Sequence, residues 1–214
     1  MQEIKLENTL PAVFANESVP GSEIWLRDVT FRRGEICLVE AASGGGKSSM
    51  CAYIFGARTD YQGRILFDGE DVSGFSIGRW LELRRTSLAY LPQELALFPE
   101  LSALENIMLK NRLTGHVSRR TVEDWMERLG IASRRDFPVG RMSIGQQQRV
   151  AIIRSICQPF DFLLVDEPVS HLDDANNDIA ASLILEEARR QGAGIISTSV
   201  GNRLNLDYTR HLKL

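Results

Sequence analysis

Two short stretches carry residue types suited to phosphate chemistry. The first runs from Ala41 to Ser49 and reads Ala-Ala-Ser-Gly-Gly-Gly-Lys-Ser-Ser. A polyphosphate needs backbone N–H groups aimed at it with no Cβ in the way, which Gly44, Gly45 and Gly46 permit at a helix N-terminus. Ala42, Ser43 and Ser49 complete the loop around the phosphates. Lys47 supplies the cation for the β- and γ-phosphates, and the Ser48 hydroxyl is placed to ligate Mg²⁺. The pattern G-x-x-x-x-G-K-[ST] is met except at its first position, where Ala41 stands for Gly. The second stretch, Phe162 to Pro168, puts two carboxylates at the exit of an apolar run, where parallel sheets bind ligands. Asp166 suits the Mg²⁺ shell, and Glu167, one residue on, suits polarisation of an attacking water. Taken singly, the loop could be a turn opening a helix and the acids a helix cap. Together they point to a nucleoside triphosphate with Mg²⁺, although GTPases, kinases and motors share the loop.

These groups need strands to carry them. Glu35 to Glu40 reads as a buried strand running into the Gly-rich turn, and Lys47 to Phe55 as the helix that follows. Ser87 to Leu91 is a short strand stopped by Pro92, and Phe162 to Val165 and Gly194 to Thr198 are buried strands. A helix from about Asp174 to Gln191 ends at Gly192. Asp68-Gly69 after an apolar run suggests a turn in a small antiparallel element. Between Glu94 and Met142 strand character fades, and Ala103 to Leu113 and Arg119 to Leu129 read as helices, with Gly130 as a cap. The expected class is α/β: a P-loop NTPase core with a mostly parallel sheet, a small antiparallel β subdomain and an inserted α-helical subdomain. Residues 1–214 are read as one domain, with 1–93 and 143–214 forming the nucleotide-binding core and 94–142 the helical subdomain.

Composition narrows the classes. The chain has 214 residues, 43% apolar and 25% charged, the balance of an ordinary globular domain. Its apolar runs fall far short of the roughly 20 residues of a spanning helix, and no secretory h-region is visible. A cytoplasmic location is expected. Three well-separated cysteines, Cys37, Cys51 and Cys157, fit buried thiols better than a disulfide framework or metal ligands. A net charge of −3 with scattered arginine doublets lacks the footprint of a nucleic-acid binder.

A third motif, Met142 to Arg154, begins with Ser143 followed three residues later by Gln146, a capping box. A capped helix start can also face an anion that another subunit brings. With it, the chain resembles the ATP-binding cassette ATPases, whose motifs stand in the same order. Ala41 to Ser49 matches their Walker A loop, Leu91 to Gln93 the Gln loop and Met142 to Gln146 the signature. Phe162 to Glu167 matches Walker B, and Ser170 to Asp173 the D-loop. The resemblance spans nearly the whole chain, and Tyr90 to Asn106 looks most like the branch of lipoprotein-release, macrolide-export and cell-division ATPases. It implies that Gln93 senses Mg²⁺ and the attacking water. It also implies that Ser143, Gly145 and Gln146 face ATP held by an opposite protomer, and that Asp173 couples the two sites. The family's adenine-stacking aromatic matches Phe14, which could equally be a core residue on an edge strand. ATP and Mg²⁺ are the implied ligands. A second cassette subunit, identical or not, and an integral membrane transporter subunit are the implied partners.

Three positions depart from the family pattern. Ala41 adds a methyl, Ile144 replaces the first signature glycine, and Ser199 stands where the family has its switch histidine. Serine cannot polarise a γ-phosphate as imidazole does, so slow turnover with ATP binding intact is expected. The alternative is a hydrolysis-impaired regulatory or structural half of a heterodimer, which Ser199 and Ile144 favour while Glu167 and Gln93 oppose it.

Overall fold

The architecture is taken from a computed structural model that describes residues 1–16, 19, 21–169 and 172–214. Two sheets organise it. β1 (Glu3–Pro11), β2 (Asp28–Arg32), β4 (Tyr61–Phe67) and β5 (Glu70–Asp71) form an antiparallel sheet in the order β2-β1-β4-β5. β3 (Ile36–Glu40), β6 (Leu88–Leu91), β7 (Phe162–Asp166), β8 (Gly194–Ser199) and β9 (Arg210–Lys213) form a parallel sheet in the order β6-β7-β8-β3-β9.

Every residue of β7 and β8 is buried, as expected of strands covered on both faces. The two-residue alternation of a strand divides their side chains between two cores. Leu163, Val165 and Ile195 join the core built with α3 (Ala103–Asn111), α4 (Arg119–Arg128), α5 (Ile144–Ile156) and α6 (Asp174–Gln191). Phe162, Leu164 and Ile196 face the other way, into the core shared by α1 (Lys47–Ile54), α2 (Ile77–Thr86) and the antiparallel sheet. The central strands are therefore clamped from both sides, which fixes the edge where they end.

Local chemistry sets the element ends. Ser102 and Ser118 cap α3 and α4, while Gly130 and Gly192, at φ 64° and 63°, close α4 and α6. Asp68 and Gly69 both take positive φ, 49° and 84°, the signature of a type I′ hairpin turn between β4 and β5. The Asp68 carboxylate then accepts the N–H groups of Gln2 and Glu3 at 2.7 and 2.8 Å, tying that turn to β1.

The predicted strands and helices lie within two residues of those observed. β1, β2, α2 and β9 were not anticipated. On α2 only Leu83 is buried while Ile77 and Leu81 are 80% and 61% exposed, so its apolar pattern does not mark a core face. The three cysteines are free and buried, and burial pushes the Cys37 and Cys157 thiols up to about 12, which keeps them unreactive. No helix among the described residues is long and apolar enough to cross a membrane.

The register of β1 against β4 shifts between Glu7 and Leu10, and Gly63 faces that irregularity at φ 82°. A Cβ on Gly63 would lie 2.3 Å from the Asn8 carbonyl oxygen. Gly63→Ala is expected to cost about 2–4 kcal/mol of stability, from backbone strain and steric overlap together. Urea unfolding measures it, and a loss below about 0.5 kcal/mol, the range of ordinary surface changes, would contradict this packing.

Candidate active site

The C-terminal ends of β3, β7 and β8 share one edge of the sheet, with β8 lying between the other two. β3 leads into the 41–46 loop, whose Gly44 and Gly46 take φ 83° and 90°. Gly46 is the left-handed cap of α1, and its α-carbon is pressed by aromatic rings. A Cβ there would lie 3.0 Å from Trp25 and 3.1 Å from Phe14. The Trp25 indole also donates to the Gly45 carbonyl at 3.1 Å, so one buried side chain braces the loop from behind. Ala41 is accommodated, but its methyl would stand 2.9 Å from any Cβ placed on Gly45. With Ala at position 41, glycine at 45 becomes the residue that keeps the loop open.

Lys47, the first residue of α1, is only 4% exposed. A buried ammonium needs partners, and it has three. It donates to the carbonyls of Ala41 and Ala42 at 3.2 and 3.0 Å, and lies 3.5 Å from Glu167 Oε1. The other carboxylate oxygen of Glu167 accepts from Gln93 Nε2 at 3.2 Å. Glu167 itself takes φ 48°, a left-handed conformation costly for a residue with a side chain. Its N–H donates to Thr198 Oγ1 at 3.2 Å, and that hydroxyl donates to Asp166 Oδ1 at 2.6 Å. Asp166, 1% exposed, ends β7 directly behind the pocket.

These groups surround a depression of about 410 Å³ lined by the loop, Ser48, Ser49, Gln93, Glu167 and Val200. Ser43, Gly44, Gly46 and Lys47 form its loop wall. Phe14 lies on a 3-10 turn after β1, against Gly46, and not on a strand.

Of the predicted residues at this edge, Ala42, Gly45, Asp166 and Ser199 do not line the depression, and Ser199 is turned away from it. Its hydroxyl accepts from Gly201 N and donates to the Asn202 carbonyl, both at 2.9 Å, and the residue is fully buried. Its neighbour Val200, half-exposed, occupies the wall instead. Ser143, Gly145 and Gln146 lie at the start of α5 and do not line the depression within one chain. Their capping box is formed, with Ser143 Oγ accepting from Gln146 N at 3.3 Å and Gln146 Oε1 accepting from Ser143 N at 3.1 Å. Asp173 caps α6, and the Asn176 N–H it accepts holds its carboxyl below the usual range. Ser170 and His171 of the predicted D-loop lie outside the described residues.

Sequence reasoning overlooked Thr198, Trp25 and Val200. Thr198 was within reach, because a buried carboxylate at a strand end requires a donor and the neighbouring strand ends in hydroxyl residues.

A glycine loop joining strand to helix, a buried lysine at the helix start, and an acidic pair two strands away define a P-loop nucleotide hydrolase. Comparison with known proteins narrows the class. A family model described as ABC transporter matches residues 27–170. The lipoprotein-releasing system ATP-binding protein LolD 1 of Caulobacter vibrioides is 32% identical over 195 residues, 86% of this chain and 83% of that protein. The ABC transporter ATP-binding protein YtrE of Bacillus subtilis is 31% identical over 172 residues, 78% and 74% of the two chains. The fold is similar to that of a dimeric bacterial ABC transporter cassette, with TM-score 0.81 and 23% identity over 98% of this chain and 94% of that one. The chain belongs to the ABC transporter family. It is an ATP-binding subunit of that family and an ATPase.

Thr198 holds both ends of the acidic pair, so its loss is measurable. Thr198→Val leaves the buried Asp166 carboxylate without its donor and the Glu167 N–H without its acceptor. Stability is expected to fall by about 1–3 kcal/mol in urea unfolding. An unchanged midpoint would show that Asp166 does not depend on this hydroxyl.

Proposed function

We propose that this ATPase works by trading the Lys47–Glu167 contact for a contact between Lys47 and ATP, and that two cassettes close around that ATP to drive a membrane partner. The 3.5 Å contact between Lys47 and Glu167 carries the reading. Without a phosphate chain, the lysine occupies the carboxylate that must act as base. When β- and γ-phosphates draw the ammonium away, Glu167 is released to orient water, and Gln93, bonded to the same carboxylate, follows it. Ser43 to Ser49 with Ala42 cradle the phosphates, and Phe14 stacks on adenine.

Among the described residues no cluster of three or more His, Cys, Asp or Glu could hold a metal ion. A lone hydroxyl and a lone carboxylate fit Mg²⁺, which keeps much of its water and leans on substrate phosphates. Ser48 and Asp166, with Gln93 nearby, would hold the ion, which neutralises charge developing on the transferred phosphoryl group.

The second cassette brings Ser143, Gly145 and Gln146 to the γ-phosphate, and Asp173 couples the sites. The helical subdomain, 94–142 beside a core of 1–93 and 143–214, connects to an integral membrane subunit at the cytoplasmic face. The resemblance to proteins of lipoprotein-releasing systems supports such a partner. Turnover is slow, because Val200 stands on the pocket wall and Ser199 turns its hydroxyl inward. Family membership does not favour the reading as a hydrolysis-impaired half.

Two variants test this. Glu167→Gln should lower turnover by about 10²-fold or more and accumulate ATP-bound dimers on size exclusion; a variant that neither slows nor dimerises would remove the assignment of the base. Ser199→His supplies the imidazole that the family pattern carries at this position. It is expected to raise turnover by about 10-fold or more, and no increase would show that the missing histidine is not what limits the rate.

A further inference from the structure

The phosphate loop has a second cationic neighbour that no motif accounts for. Arg58 follows α1, and its Nη1 donates to Ser49 Oγ at 3.0 Å. Among the described residues, Lys47 and Arg58 are the basic side chains hydrogen-bonded to the 41–49 segment. Arg58 is held in place. Its Nε and Nη2 donate to the two oxygens of Asp60 at 2.9 and 2.5 Å, and its guanidinium lies 5.3 Å from the centroid of the Tyr53 ring. Tyr53 in turn donates its hydroxyl to the Asp60 carbonyl at 3.0 Å. That same carbonyl accepts the Ala12 N–H at 2.9 Å, from the turn that carries Phe14.

The two cations stand at different distances from the depression: Lys47 lines it, whereas Arg58 lines a neighbouring hollow with Tyr53 and Tyr61 and reaches the wall of the depression through Ser49 Oγ. Lys47 lies with Glu167 and Gln93, the groups suited to the reacting phosphate. Arg58 lies on the flank tethered to Phe14, beside Ser49, one residue farther along α1 than the hydroxyl suited to the metal. A guanidinium carries five N–H donors. Three are used here, by Asp60 twice and Ser49 once, so two remain for an incoming anion.

We propose that Arg58 is a nucleotide-binding residue that contacts the α-phosphate, with the Asp60 carboxylate as the countercharge that tempers it. Lys47 serves the distal phosphates and Arg58 the proximal one, so Arg58 contributes to ADP and ATP alike. This rests on the nucleotide site proposed above, and adds to it a basis for affinity that survives hydrolysis. The countercharge of Asp60 weakens the pull of the guanidinium.

Calorimetry of the full chain with Mg-ATP and Mg-ADP tests it. Arg58→Ala should weaken both nucleotides by a similar factor, about 5–20-fold for one charge-assisted contact, and Arg58→Lys should recover part of the loss. Asp60→Asn removes the countercharge and leaves its backbone contacts, so both nucleotides should bind about 2–5-fold tighter. This second variant keeps the test sharp if Arg58→Ala folds poorly. Unaltered affinities in Arg58→Ala, a loss confined to ATP, or no tightening in Asp60→Asn would overturn the proposal. Native protein that fails to bind either nucleotide would instead overturn the nucleotide site itself.

Discussion

A buried ammonium can be tolerated only if its charge is answered locally, and the Lys47 ammonium sets the terms for everything around it. Its answer comes from two carbonyls of its own loop and from a carboxylate just past the end of a different strand. That last contact requires β3 and β7 to end at the same level with β8 between them. The parallel register supplies this, pairing Glu40 with Ser199 and Asp166 with Thr198. Packing on both faces of β7 and β8 holds the register, since a slip of one residue would exchange Leu163 and Leu164 between the two cores.

Strain and compensation sit side by side at this edge. Glu167 adopts a left-handed backbone that an ordinary residue avoids, at a cost on the order of 1–3 kcal/mol. Its N–H is fixed by Thr198, and its carboxylate is shared between Lys47 and Gln93. The conformation turns the side chain from the buried line of β7 into the depression, while Asp166 stays behind it on the strand. Two adjacent acids thus meet different surroundings, one enclosed and donor-bound, the other facing a cation that a phosphate could remove.

The phosphate loop, the acidic strand end and the alternation of strand and helix were legible in the residues because each depends on local physics. Glycine freedom, a buried apolar run and a capping serine leave their marks within a few positions. What escaped depends on neighbours far along the chain. α2 exposes Ile77 and Leu81, and β9 is four residues on the edge of β3, so neither shows a clear period. Position 199 was expected just after a strand ending at Thr198 and is instead the last residue of β8, and alignment to a family pattern says nothing of side-chain direction. The turn through Gly201 draws the Ser199 hydroxyl inward and leaves Val200 outward. Arg58 was invisible for the same reason, since its nine-residue reach back to Ser49 follows from the course of the chain after α1.

The start of α5 shows why one chain is not enough for the proposed reaction. Its capping box uses Ser143 and Gln146 to satisfy each other, yet the N–H groups of Ile144 and Gly145 donate to no partner among the described residues. A helix end with open donors and a partial positive charge favours an anion. The depression beside Lys47 does not include these residues, so a phosphate bound there cannot reach them in the same chain. Ile144, 48% exposed, adds an apolar side chain beside those donors where a glycine would leave the approach clear. A facing copy that offers its own phosphate answers both features. In the proposed dimer it satisfies the donors with an anion and covers the isoleucine, and water is excluded from the γ-phosphate as Glu167 is freed.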